Sequence, residues 1–139
     1  MKIILDELSI NTKGRGDIID LTKEIEDIVR RSNIKSGIIN VFSPGSTIGI
    51  TSMEYEPGLR KDLNLLFDKI APRETYYYHH ETWGDDNGSS HILSSIFKPF
   101  YLLPVVDGKL VRGTWQQVVL VEFDTRPRNR KVVIQVIGE

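Results

Sequence analysis

The sequence predicts an α+β fold in a single domain covering residues 1–139, with mainly antiparallel sheets covered by about three helices. Three observations carry that prediction. Apolar residues recur at helical spacing in two long windows. Elsewhere they form short β-branched runs separated by turn residues, a pattern of strands. No repeat, low-complexity stretch or Ser/Gly-rich linker divides the chain, so helices and hairpin-linked strands must share one core.

The elements follow in order. Lys2–Ile10 alternates, with Ile3, Leu5, Leu8 and Ile10, and reads as a strand. Lys13-Gly14-Arg15-Gly16 is a turn, and Asp17 is a fitting N-cap for a helix whose face carries Ile18, Leu21, Ile25 and Ile28. Asn33 and Gly37 close that region. Ser36–Phe42 and Ser46–Glu54 read as strands joined by Ser43-Pro44-Gly45. Pro57 suits a helix start, where its missing N–H is not needed. Leu59, Leu63, Leu66, Phe67 and Ile70 form the apolar face that follows, and Ala71-Pro72 ends it. Tyr76–Tyr78 is expected as a short strand, and Thr82–Ser89 has turn composition. A shorter helix is expected over Ser90–Phe97, burying Ile92 or Leu93 with Ile96.

The last third reads as a meander. Phe100–Val106 and Lys109–Val111 flank Asp107-Gly108, a type I′ hairpin pair. Gln116–Asp124 contains the unbroken run Val118-Val119-Leu120-Val121, as in a strand covered on both faces. Thr125–Asn129 is a loop, and Arg130–Ile137 is the last strand.

Composition narrows the function classes. There is no cysteine, which excludes disulfide scaffolds, thiol catalysis and Cys-ligated metal sites. The 18 basic and 19 acidic residues leave a net charge of −1, unlike a dedicated nucleic-acid-coating protein. No apolar stretch approaches the ~20 residues of a spanning helix. Asp6 and Glu7 interrupt the N-terminus too early for a secretory signal. The expectation is a soluble, cytoplasmic protein with no membrane role.

Four groups of residues could carry chemistry. His79, His80 and His91 are the only histidines, and Glu81, Asp85, Asp86 and Asn87 lie among them. Imidazole is the commonest metal ligand, and carboxylates often accompany it. His80 and His91 are spaced so that a turn-rich loop can bring both rings to one ion. His79, next to His80 in an extended segment, is expected to face away. The alternative for this loop is a solvated polar surface, since no short zinc motif is present. Gly113-Thr114-Trp115-Gln116 places neutral hydrogen-bonding groups beside a Trp, and suits either a polar ligand or a core Trp with its N–H satisfied. Gly45, Ser46 and Thr47 could present donors to an anion, with Glu54 ahead of Pro57. Arg126, Arg128, Arg130 and Lys131 could bind phosphate or form a solvated hairpin. No P-loop, dinucleotide fingerprint or nucleophile elbow is present.

The segments His80…Asp86-Asn87-Gly88-Ser89-Ser90-His91-Ile92, Gly113-Thr114-Trp115-Gln116-Gln117 and Glu122-Phe123-Asp124…Arg126-Pro127-Arg128…Gly138-Glu139 identify a resemblance. Over essentially the whole chain the sequence resembles the YjbQ-like family, also called the secondary thiamine-phosphate synthase family. The resemblance implies an α+β homotrimer, a polar pocket with a metal site, and a weak thiamine-phosphate synthase activity. Many members carry His-Thr-Ser where this chain has Pro44-Gly45-Ser46-Thr47, so that histidine, falling near Gly45, is missing.

Together these readings give an expected site. His80 and His91 are the metal ligands for a divalent ion of the zinc class, because imidazole does not suit magnesium alone. Glu54, Asp86 and Gln116 are the catalytic candidates. Ser46, Thr47, Asn87, Thr114, Trp115 and Arg126 are the substrate-binding candidates, with Arg112 as a further cation. The substrate is a phosphorylated small molecule, for transfer or metal-assisted hydrolysis. The second reading is a non-enzymatic trimer that binds a metal or small molecule. The histidine loop, Trp115 and Glu54 are expected to line one pocket. A homotrimer is expected to bury apolar surface left over on the C-terminal strands.

Overall fold

The computed structural model describes residues 1–139. In chain order the elements are β1 (Lys2–Asn11), β2 (Ile18–Asp20), α1 (Thr22–Ser32), β3 (Ser36–Phe42), β4 (Ile48–Met53) and α2 (Pro57–Ile70). They continue with α3 (Tyr78–Trp83), α4 (Gly88–Phe97), β5 (Phe100–Val106), β6 (Lys109–Leu110), β7 (Gln117–Glu122) and β8 (Asn129–Gly138). A five-stranded sheet runs β1-β8-β3-β5-β6, and a three-stranded sheet runs β2-β7-β4. Every pairing is antiparallel.

The unbroken apolar run in β7 explains the layering. Val118 and Leu120 join the core between α1 and the inner face of the large sheet, with Ile39, Val41, Ile134 and Val136. Val119 and Val121 point the other way, into a second core with Phe67 of α2, Leu93 of α4 and Phe123. Phe67 meets Phe97 and Phe123 edge-on at centroid distances of 5.2 and 5.1 Å, a favourable aromatic geometry. The small sheet is thus a middle layer with both faces covered.

Four local expectations change. Asp17 does not cap a helix. Ile18 pairs with Val121 and opens β2, while the Asp17 carboxylate accepts the Lys13 N–H at 2.8 Å and closes the preceding turn. Sheet pairing therefore took the residues that helical spacing had claimed, and α1 begins at Thr22. Tyr76–Tyr78 is not a strand, because no neighbouring strand pairs with it. The chain instead makes the one-turn-and-a-half helix α3, stopped by Gly84 in the left-handed conformation (φ 66°). This makes four helices. In α4 only Leu93 of the expected apolar trio is buried, while Ile92 and Ile96 face outward.

The apolar surplus expected on the two C-terminal strands is not on β7, whose faces are both buried. β8 does contribute to it through the half-buried Val133 and Ile137. The surplus spreads over the outer face of the large sheet, where paired residues align in rows: Ile3 with Ile137, Ile38 and Pro104, then Leu5 with Gln135, Asn40 and Leu102. Ile3, Leu5, Ile38, Phe100 and Leu102 are exposed there. The helices are spent on the inner layers, so nothing in the chain covers this face.

Candidate functional site

Two ends of the small sheet divide the expected site residues. Gln116 precedes β7 and Asp124 follows it; Ser46 and Thr47 precede β4 and Glu54 follows it. Since strands rise about 3.3 Å per residue, each pair is separated by roughly 20 Å or more. The strands are antiparallel, so Ser46, Thr47 and Asp124 share one end, while Glu54 and Gln116 share the other. The expectation of one pocket holding the histidines, Trp115 and Glu54 is therefore corrected for the single chain. Strand length alone keeps them apart.

The histidine end is built on the start of α4 and on the excursion that precedes it. His91 stacks on His79 with ring centroids 4.4 Å apart. His79 does not face away as an extended segment would require. Helix α3 turns successive residues by about 100° rather than 180°, so His79 reaches the cavity while His80 turns toward the Gly88 backbone. The His79 Nδ1 lies 3.0 Å from a carboxylate oxygen of Asp85. That nitrogen is buried, and no donor or acceptor is aligned for a hydrogen bond with it. His79, His80 and Asp85 offer ligand atoms all within 4.8 Å of one another. Of the expected metal pair, His80 belongs to this cluster, while His91 stacks on His79 beside it. The His80 Nε2 already accepts the Gly88 N–H at 3.1 Å. A side chain at Gly88 would meet Tyr77 at 2.8 Å and His80 at 3.1 Å, so only glycine allows this approach.

A cavity of about 470 Å³ borders this cluster. Tyr77, Tyr78 and His79 form one wall; Gly88, His91, Ile92, Ser95 and Ile96 form the floor. Burial, and then the neighbouring His79, hold the His91 imidazole below the ordinary histidine value; Asp85, Asp124 and the Ser46 carbonyl oppose that shift. The expected members Ser46, Asn87 and His91 therefore do meet. Asn87 Nδ2 donates to Asp124 at 3.3 Å, and its Oδ1 is buried without a partner. Asp86 is exposed beside them, and Arg126 is exposed on the following loop.

Behind this surface lies a charged layer. Glu122, with no exposed area, pairs with Arg130, whose Nε donates at 2.8 Å. Arg130 also donates to the Thr47 hydroxyl at 2.8 Å, so Thr47 serves the scaffold rather than a ligand. Asp124 accepts from Arg128 Nε at 2.8 Å. Burial raises the Asp124 carboxyl, but the Thr125 N–H, Arg128 and Asn87 outweigh it and hold it below the ordinary value. A side chain at Gly45 would meet Arg130 Nη1 at 3.1 Å and Ile48 at 3.3 Å. A residue larger than glycine there requires Arg130 to shift.

At the glutamine end the groups around Gln116 are neutral. Gln116 Nε2 donates to Tyr101 Oη at 3.1 Å and to Ser52 Oγ at 3.3 Å, and these two hydroxyls bond each other at 2.8 Å. Arg112 is held by Glu26 and by the carbonyls of Gly113, Thr114 and Gln116. It cannot assist the histidines. Trp115 is 71% exposed, neither a core Trp nor part of the histidine pocket. Glu54 and Thr114 are exposed at this end.

Sequence reasoning set His79 aside, named Asp85 only among the accompanying carboxylates, and did not connect Asp124 with the histidines. Asp124 stood in a quoted segment, but nothing in its spacing pointed toward the histidines. His79 was lost with the mistaken strand.

The chain matches the family described as UPF0047 protein YjbQ-like over residues 6–139. It is 32% identical to a UPF0047 protein of Methanothermobacter thermautotrophicus over 139 residues, covering all of this chain and 95% of that one. It is 34% identical to the UPF0047 protein YugU of Bacillus subtilis, covering 97% of this chain and all of that one. Its structure is similar to that of a YbjQ-like protein of unknown function from Sulfolobus solfataricus, with a TM-score of 0.92, 32% identity and 99% of each chain covered.

Proposed function

The chain belongs to the UPF0047, YjbQ-like family, and we propose that its histidine end is the site of a metal-dependent enzyme acting on a phosphorylated small molecule. The observation that carries this reading is the convergence of His79, His80 and Asp85, whose ligand atoms all lie within 4.8 Å of one another beside an open cavity. Two imidazoles and one carboxylate suit zinc or a similar transition ion better than magnesium. When bound, such an ion supplies Lewis-acid activation of a phosphoryl oxygen.

The chain's own residues have complementary parts. Asn87 holds the Asp124 carboxylate through its Nδ2 and so helps position the polar end of the site. Arg126 and Arg128 supply the cations expected for phosphate, Arg128 being positioned by Asp124. A weak thiamine-phosphate synthase activity falls within this reading, and so does hydrolysis of a phosphate ester.

The second reading is a non-enzymatic trimer that binds a metal or small molecule at the same end. The exposed outer face of the large sheet supports assembly in either case, because it would be buried by further copies. In a closed ring the contacts are heterologous, which could carry one copy's glutamine end toward another's histidine end.

The test is metal analysis together with turnover. We expect about one zinc-class ion per chain and zinc-dependent turnover of phosphate esters or thiamine precursors. Metal binding without any turnover favours the binding trimer; no metal at all overturns the metal reading. Light scattering at micromolar concentration should give about three times the 15.9 kDa chain mass, and a monomer would refute the assembly.

A further inference from the structure

We infer that Trp115 of one copy closes the open side of another copy's histidine cavity, so that each site is walled by two chains. The inference rests on the assembly reading above and deepens it, since it names the residue that one copy gives to the next.

Trp115 is an exposed aromatic on a fixed support. Its side chain stands in solvent, while the backbone around it is tied down. The Arg112 guanidinium, held by Glu26 at 2.8 and 2.9 Å, donates to the carbonyls of Gly113, Thr114 and Gln116. The Gly113 N–H donates to Gln116 Oε1, and the Gln116 N–H to the Gly113 carbonyl, both at 3.1 Å. Gln117 Nε2 donates to the Thr114 carbonyl at 3.1 Å. None of these bonds uses the indole. A large aromatic displayed on a pre-ordered loop makes an effective binding anchor, because little freedom is left to lose on contact.

The cavity offers the complementary half. Its volume of about 470 Å³ falls within the ~300–1,000 Å³ of ligand cavities. Tyr78, Ile92 and Ile96 line it, and all three are exposed in the single chain. An indole laid against them removes apolar surface on both partners. The indole N–H is a donor only and needs an acceptor. Ser95 also lines the cavity, and its hydroxyl donates to the His91 carbonyl at 2.9 Å. That leaves the Ser95 oxygen free to accept.

Trp115 cannot reach the cavity of its own chain. Ser94 of α4 bonds Ile48 at one end of β4, whereas Met53 at the other end pairs with Gln117, just past Trp115. The strand from Ile48 to Met53 spans about 17 Å. Anchor and cavity are each present in every chain, at different ends, so a second copy supplies the match. Charge supports that occupant. Glu54, next to Met53, is exposed at the Trp115 end, and Lys98, just beyond Ile96, is exposed at the cavity. Neither has an ion partner within the chain. The two surfaces differ, so the contact is heterologous and repeats until a ring closes.

The test joins the two surfaces covalently. The chain has no cysteine, so Thr114→Cys, beside an intact Trp115, and Lys98→Cys, at the cavity rim, introduce the only thiols. The two full-length variants are coexpressed and treated with a short bismaleimide. We expect covalent dimers from the pair and none from either variant alone. Trp115→Ala, with its circular dichroism unchanged, should raise the dissociation constant of the assembly at least about tenfold by light scattering. A parent chain that assembles while both results fail overturns the inference and spares the assembly reading. Weakened assembly without the crosslink overturns the cavity as the receptor. A crosslink with unchanged affinity in Trp115→Ala overturns Trp115 as the anchor. Dimers from one variant alone indicate a two-fold contact and overturn the heterologous one. A monomeric parent chain overturns both readings together.

Discussion

At one end of β7, Glu122 and Asp124 are buried and each is met by a guanidinium. At the other end, Gln116 bonds a phenol and a serine, and Trp115 stands in solvent. Both ends are polar, and both contain residues the sequence marks as unusual. They differ in what a lost partner leaves behind. A charge stranded in the interior is penalised heavily, whereas a neutral group near the surface is rehydrated. The charged end is therefore a fixed platform, and the histidine cluster is mounted on it. The glutamine end can adapt, as a contact surface must.

The sharpest way to break this contrast is Arg130→Met. It strands Glu122 and should lower unfolding free energy by about 3–5 kcal/mol, read from urea denaturation. The double variant with Glu122→Leu removes both charges and should recover most of that loss. If the single variant is as stable as the parent, the platform idea is wrong.

Acid should act on the same end. Asp124 is held below its ordinary value in the fold, so the folded state binds that proton more weakly than the unfolded chain does. Its stabilisation is complete above about pH 3.9 and is lost as pH falls further. His91, also held low, adds a step that begins near pH 6.5 and again removes stability as pH falls. Urea midpoints measured down the pH scale should show both steps. Asp124→Asn should flatten the lower step, and His91→Asn the upper one. Unaltered profiles in the variants would detach these groups from acid stability.

At the neutral end Gln116→Leu should be milder, about 1 kcal/mol, because Tyr101 and Ser52 still bond each other. A loss as large as that of Arg130→Met would erase the distinction between the ends. Trp115→Ala should be smallest, within about 0.5 kcal/mol of the parent in the folded chain. Its informative readout is mass. If the neutral end contacts a second copy, light scattering should report dissociation in this variant without unfolding. An intact assembly would place the contact elsewhere, on the outer face of the large sheet.

Much of the fold was legible because its signals are local. The β7 run Val118–Val121 announced a strand buried on both faces, and it divides the two cores. Asp107-Gly108 announced the β5–β6 hairpin, and both residues have positive φ, 53° and 73°. The start of α1 was misread for an instructive reason. Ile18 and Leu21 fit a helical face, but Ile18 found a pairing partner in Val121, more than a hundred residues away in sequence. Tyr76–Tyr78 failed the opposite way: strand-favouring residues had no strand to pair with.

By itself the sequence determined the single α+β domain, the family, and the residue types that gather near His91. Those depend on periodicity, turn chemistry and motifs that read along the chain. Only the tertiary structure decided which residues meet. Antiparallel pairing of β4 with β7 set Ser46 beside Asp124 and carried Glu54 and Gln116 to the far end. The helical turn at α3 brought His79 against His91. Distances across a sheet depend on register and direction, and no spacing within one segment encodes them.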